Sequence, residues 1–390
     1  MKNTPTLQSI VSGKPRSRLS RKLWIVTRKS ARKRCNMTEN DIQSETSAAP
    51  LKEGYKKLCL RLGLMIIVIF SSRGICSVLL SLLKPSLSGL SATAAYCVQT
   101  AFSIAFLYAV PIAATVLLLK VPVKKMNADI YKKPKYFGRA LGMFPAFFSV
   151  SIIANAITIW ITSLIKSTNF SDSFNTVNEL AAPDTPSGII LFVQMVVIAP
   201  LLEEFWFRGL VLESLRPYGN GVAIFISAFL FGLTHANFAQ FFYTAVFGIF
   251  LGYLAVSTRS IVTTTVVHAI LNSFAATLLL LLTDNSVKRF VTLTQMGVVG
   301  EITPAVVFFL VMLGIMLLMV AVGFIMACFK FAKIKKYKVP VVQTELSAKK
   351  RWAMFFSAFT VIIGLCLAAD SFTVRFIPTQ IYQFINNFRG

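Results

Sequence analysis

The sequence predicts an all-α membrane protein, a polytopic bundle of about eight or nine transmembrane helices. Of its 390 residues, 55% are hydrophobic and only 14% are charged, and the mean hydropathy of +0.69 is far above that of a soluble globular protein. The apolar stretches lack the alternation of barrel strands, so they predict helices. The net charge of +25 is carried by short basic runs between these stretches, which is typical of cytoplasmic loops. No nucleic-acid-binding module accompanies the charge, so we expect membrane lipid and not nucleic acid as its partner.

The chain begins with a polar, basic arm over residues 1–57, which we expect to be disordered, cytoplasmic and able to lie on anionic lipid. No apolar stretch follows its first charges directly, as a secretory signal would require. Met37 begins an ordinary polar leader, and translation from Met37 is therefore a hypothesis that the intact mass of the native protein tests. Residues 58–369 are predicted to form the membrane domain, and residues 370–390 a short extracytoplasmic tail.

Nine segments of the membrane domain are predicted to cross the hydrocarbon core, which requires about 20 residues of helix. They lie near 60–83, 91–119, 140–165, 187–213, 222–236, 238–257, 260–282, 304–329 and 352–369. The fifth is short, which fits a helix packed inside the bundle. With the amino terminus in the cytoplasm, 33 of the 40 Lys and Arg residues fall on the inner side and 6 on the outer side. This asymmetry predicts that orientation and favours a bacterial plasma membrane.

Ionisable groups are concentrated in one otherwise apolar stretch, from Glu203 to Asn272. It contains both histidines of the chain, His235 and His268, and the adjacent carboxylates Glu203 and Glu204. Such groups are costly inside spanning helices, so each indicates a functional site. At about 1.5 Å of rise per residue from the nearest inner loops, three helices bring these side chains to the middle of the bilayer. The region 187–282 is therefore the predicted catalytic core.

Helical spacing predicts which of these residues face each other. Glu204 and Arg208 are four residues apart, so they share a helix face and can form an ion pair. His268 and Asn272 have the same spacing and can face one cavity. Glu203 lies about 100° around the helix from Glu204, so it can face the cavity while Glu204 pairs with the arginine.

These residue types suit peptide-bond hydrolysis in two ways. In the first, Glu203 and His235 share a proton and activate a water as general base. His268 and Asn272 then donate to the developing oxyanion, an interaction worth about 2.7–4 kcal/mol per donor. In the second, Glu203, His235 and His268 bind Zn and leave a position for water. The sequence lacks a His-Glu-x-x-His motif, so it does not require a metal.

Each of these residues also has a structural explanation when it is taken alone. A Glu-Arg pair at helical spacing is commonly a structural ion pair. A histidine in an apolar helix is commonly a core group with its hydrogen bonds satisfied. Asn272 taken alone could form a hydrogen bond between two helices. Their coincidence at one depth favours a function.

Three short motifs follow one another in this core: Glu-Glu-x-x-x-Arg at 203–208, Phe-x-x-x-His at 231–235 and His-x-x-x-Asn at 268–272. In this order they resemble the motifs of the type II CAAX prenyl endopeptidases and their bacterial relatives, the CPBP or Abi family of intramembrane proteases. The resemblance implies that Glu203 works with His235 on the hydrolytic water, and that His268 and Asn272 stabilise the oxyanion or take part in zinc binding. The second carboxylate and the arginine of the first motif would shape the site.

The resemblance also suggests the substrate class. Eukaryotic members of the family cut prenylated proteins to release the last three residues, whereas bacterial relatives resemble enzymes of peptide maturation, bacteriocin self-immunity or surface-protein anchoring. The expected function is hydrolysis of a peptide bond in a membrane-associated protein or peptide, lipidated or not.

Two other classes of protein use buried polar groups. A non-enzymatic binding protein, such as a bacteriocin-immunity factor, would use the cavity for recognition alone and would stay active in folded Glu203→Ala and His235→Ala variants. A transporter would use buried Glu and His as a proton relay, but the sequence lacks an evident pair of Gly/Pro-broken helices in two repeated halves.

Overall fold

The computed structural model describes residues 39–120, 137–166, 184–236, 238–331 and 346–373. Across these ranges the secondary structure is helical and contains no strand, which confirms the all-α prediction. The chain divides into two compact units, Met1–Gly54 and Tyr55–Gly390, and the second contains every residue of the predicted site. Residues 1–38 of the predicted arm and 374–390 of the predicted tail lie outside the described ranges.

Eleven helices form the described part of the chain. In order they are α1 Glu39–Leu87, α2 Ala92–Leu119, α3 Phe137–Lys166, α4 Thr185–Tyr218, α5 Asn220–Leu233, α6 Phe238–Thr258, α7 Ile261–Thr283, α8 Asn285–Gln295, α9 Pro304–Phe331, α10 Ala348–Phe356 and α11 Phe359–Thr373. Because α1 begins at Glu39, residues 39–57 are helical where the sequence predicted disorder. Residues next to an existing helix extend it without a new nucleation step.

Each of the nine predicted spans coincides with a helix or a helix pair. Among the described residues, seven helices are long and apolar enough to cross a membrane: α1, α2, α3, α4, α6, α7 and α9. The pair α10 and α11 meets the same test together, with a bend of 63°, and gives an eighth span if it is counted as one. The chain is thus a multi-pass membrane protein, and the count is below nine because α5 has only 14 residues.

The short helix α5 packs inside the bundle, as its length predicted. Eleven of its residues are buried, and it approaches α6 closely at two glycines. A Cβ added at Gly232 would lie 2.8 Å from the Phe241 carbonyl oxygen, and one added at Gly248 would lie 3.1 Å from Ala228. The glycines therefore allow the backbones of α5 and α6 to approach closely.

The end of α5 differs from the prediction of a span over 222–236. The helix ends at Leu233, so His235 lies in a turn and not on a helix face. The side chains of Thr234 and His235 both bond the Phe231 carbonyl oxygen, which competes with continuation of the helix. Ala236 then has a φ of 49°, a left-handed conformation that ends helices.

Helix α8 lies in the connection after α7, where the sequence analysis predicted no helix. Asp284 caps it by accepting from the backbone N–H groups of Ser286 and Val287. The Ser286 hydroxyl also donates to Asp284 and has the largest effect. Together these hydrogen bonds hold the pKa of the Asp284 carboxyl below its usual value. Val287 is buried against Val306 and Phe309 of α9, so one apolar face of α8 packs on the bundle.

Candidate active site

Helix α4 carries three of the six predicted residues, and its backbone is not a regular α-helix. Gln194–Ile198 and Glu204–Leu212 are π-helical, a wider winding that is frequent at functional sites. Pro200 accounts for the first π turn. The N–H of Ala199 donates to the Gln194 carbonyl, five residues back. The next carbonyl in this register, Met195, would pair with Pro200, which has no N–H.

Asn272 supplies the donor that Pro200 lacks. Its Nδ2 donates to the Met195 carbonyl oxygen at 2.8 Å, which joins α7 to α4 and satisfies a partly buried backbone acceptor. The amide carries a second N–H, and its role as an oxyanion donor stays a prediction. The structure thus contains the interhelical hydrogen bond that was one explanation for Asn272.

The ion pair predicted between Glu204 and Arg208 is also formed. Glu204 Oε1 lies 3.0 Å from Arg208 Nη1, and both side chains are fully buried. Arg208 Nη2 donates to the Gly248 carbonyl oxygen of α6 at 3.2 Å, and the guanidinium lies 4.5 Å from the ring centroid of Phe231 on α5. A buried charge needs such partners. Arg208 therefore neutralises Glu204 and links α4 to both neighbouring helices.

His268 lies between the two adjacent carboxylates of α4. Its Nδ1 is 2.9 Å from Glu204 Oε1, and its Nε2 is 3.7 Å from Glu203 Oε2. Because an ionised carboxylate only accepts hydrogen bonds, Nδ1 carries the proton and Nε2 faces Glu203. The rings of Phe231 and Phe247 pack edge-on against the imidazole at 5.7 and 5.9 Å. The imidazole is thus held in place by a carboxylate on one edge and by apolar rings around it.

His235 lies near this centre but bonds elsewhere. Its Nδ1 is 3.1 Å from the Phe231 carbonyl oxygen, so Nδ1 donates and Nε2 is left to accept a proton. Within the described part of the chain, the side-chain contacts of Glu203 are with Tyr108 and His268. A direct hydrogen bond between Glu203 and His235 is thus not among these contacts, and their shared role in activating water stays a prediction.

Two residues outside the predicted core reach the site. Tyr108 on α2 donates its hydroxyl to Glu203 Oε1 at 2.9 Å. Arg73 on α1 donates from Nη2 to the carbonyl oxygen of Thr234 at 2.5 Å, next to His235. Arg73 is a charged residue within the first predicted span, 60–83, and the sequence does not identify its partner. Tyr108 gave no comparable signal.

The described residues contain no group of three His, Cys, Asp or Glu side chains arranged to hold a metal ion. One nitrogen of each histidine is engaged, that of His268 by Glu204 and that of His235 by a backbone carbonyl. The expected zinc ligands Glu203, His235 and His268 do not form a ligand set in this arrangement. The use of zinc stays a prediction.

Comparison with known proteins agrees with the motif resemblance. Residues 185–274 match the family model described as type II CAAX prenyl endopeptidase Rce1-like. This core of the chain is therefore similar to that family. All six predicted residues fall within residues 185–274, hereafter the Rce1-like region, whereas Arg73 and Tyr108 fall outside it. No curated protein and no solved structure matches the chain. The family match supports, at its general level, an intramembrane endopeptidase of the CAAX type.

Proposed function

We propose that the chain hydrolyses a peptide bond of a membrane-associated protein or peptide, using a water activated by Glu203 with a histidine. The observation that carries this proposal is the connected set of buried groups in which Arg208 holds Glu204, Glu204 holds His268 Nδ1, and His268 Nε2 faces Glu203. Buried charges of this kind are retained in apolar helices where they serve a function.

Glu203 is the general base in this proposal. Its Oε2 is 3.7 Å from His268 Nε2, just beyond hydrogen-bond length. Because Nδ1 carries the imidazole proton, Nε2 can only accept, and it bonds the Glu203 carboxyl once that group has taken up a proton. Glu203 takes a proton from water while the water oxygen bonds the scissile carbonyl carbon. The proton then passes to the leaving amine as the C–N bond breaks. His268 orients the carboxylate through this step, because Glu204 fixes its ring and its tautomer.

His235 has a second role near the same point. With Nδ1 donating to the Phe231 carbonyl, its Nε2 is the free acceptor for a proton of the attacking water or of the substrate. Arg73 holds the neighbouring carbonyl of Thr234 and so steadies this turn. The residual N–H of Asn272 is the proposed donor to the oxyanion.

The surroundings suggest the kind of substrate. Glu203, His268 and Asn272 lie on helices that are long and apolar enough to span a membrane, so a substrate that is itself held in the lipid reaches them without crossing water. A prenylated or otherwise lipidated carboxyl-terminal peptide, and a bacteriocin-like membrane peptide, are the two proposed classes. A bacterial plasma membrane with the amino terminus in the cytoplasm is proposed from the distribution of Lys and Arg.

The test is cleavage by the purified protein in detergent or nanodiscs. The panel contains prenylated carboxyl-terminal peptides and the same peptides without the lipid, and products are identified by mass. Wild type is compared with Glu203→Ala and with the control Glu213→Ala. Glu213 lies on the same helix but is partly exposed and pairs with Arg216 at 2.8 Å. Each protein is assayed before and after a strong zinc chelator, with metal content measured on the same sample.

The expected result is cleavage by wild type and by the control but not by Glu203→Ala. Cleavage that disappears with the chelator and returns with zinc would establish the metallopeptidase alternative. Cleavage that is indifferent to chelation in metal-free protein supports the glutamate-water mechanism. Absence of Glu203-dependent cleavage across the panel would favour a non-enzymatic binding protein.

A further inference from the structure

We infer that Tyr108 is a positioning residue for the proposed base, Glu203, although it lies outside the Rce1-like region. The inference rests on the proposed function. Its basis is the hydrogen bond from the Tyr108 hydroxyl to Glu203 Oε1 at 2.9 Å, which joins residues 95 positions apart in the chain.

The two oxygens of Glu203 have different surroundings. Oε1 accepts from Tyr108, and Oε2 is directed toward His268 Nε2. One fixed oxygen sets the plane of the carboxylate and therefore the direction of the other. A base must be held in such a geometry to take a proton efficiently, since small misplacements are costly in rate.

The sequence of α2 explains why Tyr108 lies on an irregular turn. Residues Ala105–Ala109 are π-helical, and the N–H of Val110 donates to the Ala105 carbonyl five residues back. The next carbonyl in that register would pair with Pro111, which has no N–H. The same arrangement precedes Pro200 in α4. Each helix therefore carries a proline-associated π turn close to a residue of the Tyr108–Glu203 pair.

A second contact fixes α2 against α4 nearby. Trp206 Nε1 donates to Thr115 Oγ1 at 2.8 Å, and Thr115 Oγ1 donates to the Pro111 carbonyl oxygen at 2.7 Å. Thr115 is fully buried and Trp206 is 1% exposed. This chain of hydrogen bonds sets the register of the two helices within two turns of Tyr108. The Tyr108–Glu203 contact is thus part of a built interface and not an isolated approach of two side chains.

The test replaces Tyr108 by Phe, which removes only the hydroxyl, and uses Tyr96→Phe on the same helix as the matched control. Removing a hydrogen bond to a charged group predicts that kcat for the cleaved peptide falls about 10- to 100-fold, with KM changed by less than about twofold. Tyr96→Phe keeps wild-type kcat. Unfolding in the same detergent is measured for Tyr108→Phe, Glu203→Ala and the double variant, because a direct bond makes the two effects non-additive.

The outcomes separate this inference from the proposed function. A fall in kcat at constant KM, with non-additive unfolding, supports it. Wild-type kcat in Tyr108→Phe overturns it, as does an equal loss in the Tyr96→Phe control. Additive unfolding effects overturn the direct bond even if kcat falls. If wild type cleaves nothing in the panel, the proposed function fails and the positioning role with it, while the unfolding measurements still report on the bond.

Discussion

Removal of the Arg208 guanidinium is predicted to be among the most destabilising single changes at the site. Arg208 and Glu204 are both fully buried and 3.0 Å apart, so the substitution Arg208→Leu leaves the Glu204 carboxylate charged and without its neutralising partner. Breaking a buried pair from one side costs about 3–5 kcal/mol. The lost hydrogen bond to Gly248 and the lost contact with the Phe231 ring act in the same direction.

The pair between Glu213 and Arg216 gives the matched control for this change. It lies on the same helix at 2.8 Å, but its side chains are 26% and 19% exposed. Solvent screens such a pair, which contributes about 0–1 kcal/mol. Arg216→Leu should therefore have a much smaller effect than Arg208→Leu, although each removes one arginine from an ion pair.

The assay is the free energy of unfolding in detergent, measured by denaturant titration for both single variants. The double variant Glu204→Leu/Arg208→Leu is measured as well, because removing both charges eliminates the unpaired carboxylate. We expect the double variant to be more stable than Arg208→Leu alone. Equal losses for Arg208→Leu and Arg216→Leu, or a double variant less stable than Arg208→Leu, would refute the argument from burial.

Three further predictions concern the helices around the site. Gly323→Ala should destabilise the protein by about 1–3 kcal/mol, because the new Cβ would clash with a backbone oxygen of α3. The control is Gly314→Ala on the same helix, whose new Cβ meets nothing within 4 Å. Thermal unfolding of the two variants checks the difference. Asn272→Leu should cost about 1–3 kcal/mol by leaving an α4 carbonyl unpaired, and an unfolding free energy equal to wild type would show that this hydrogen bond is unimportant. Hydrogen bonds from Ser187 and then Thr93 lower the pKa of Asp184, so its stabilisation is present above its unfolded pKa of about 3.9 and is lost as pH falls through the lower folded pKa. The free energy of unfolding, measured as a function of pH, should therefore lose this acid-dependent decrease in the Asp184→Asn variant.

Local spacing in the sequence was enough to predict part of the site. The Glu204–Arg208 pair is formed because residues four apart share a face of a helix, even though this segment of α4 is π-helical. The apolar stretches likewise predicted the helices, since length and hydropathy are properties of a continuous segment. The shortness of α5 correctly indicated a helix packed within the bundle.

Contacts between distant segments could not be predicted in this way. The position of His235 depends on a left-handed residue at Ala236 and on competition for one carbonyl, neither of which alters the apolar pattern. The contact of Glu203 with Tyr108 depends on how α4 packs against α2, and the two residues are 95 positions apart in the chain. Pro111 and Pro200 lie inside two predicted spans, but the π turns that accommodate them follow only from the backbone.

The central claim is that Glu203 activates the water that cuts the peptide bond. The most direct measurement is cleavage in water enriched in heavy oxygen, with wild type, Glu203→Ala and Glu213→Ala compared by mass spectrometry of the products. We predict that wild type and Glu213→Ala release a product with one heavy oxygen atom in its new carboxyl group, and that Glu203→Ala releases none. Equal product from Glu203→Ala, or a new carboxyl group without heavy oxygen, would contradict the account.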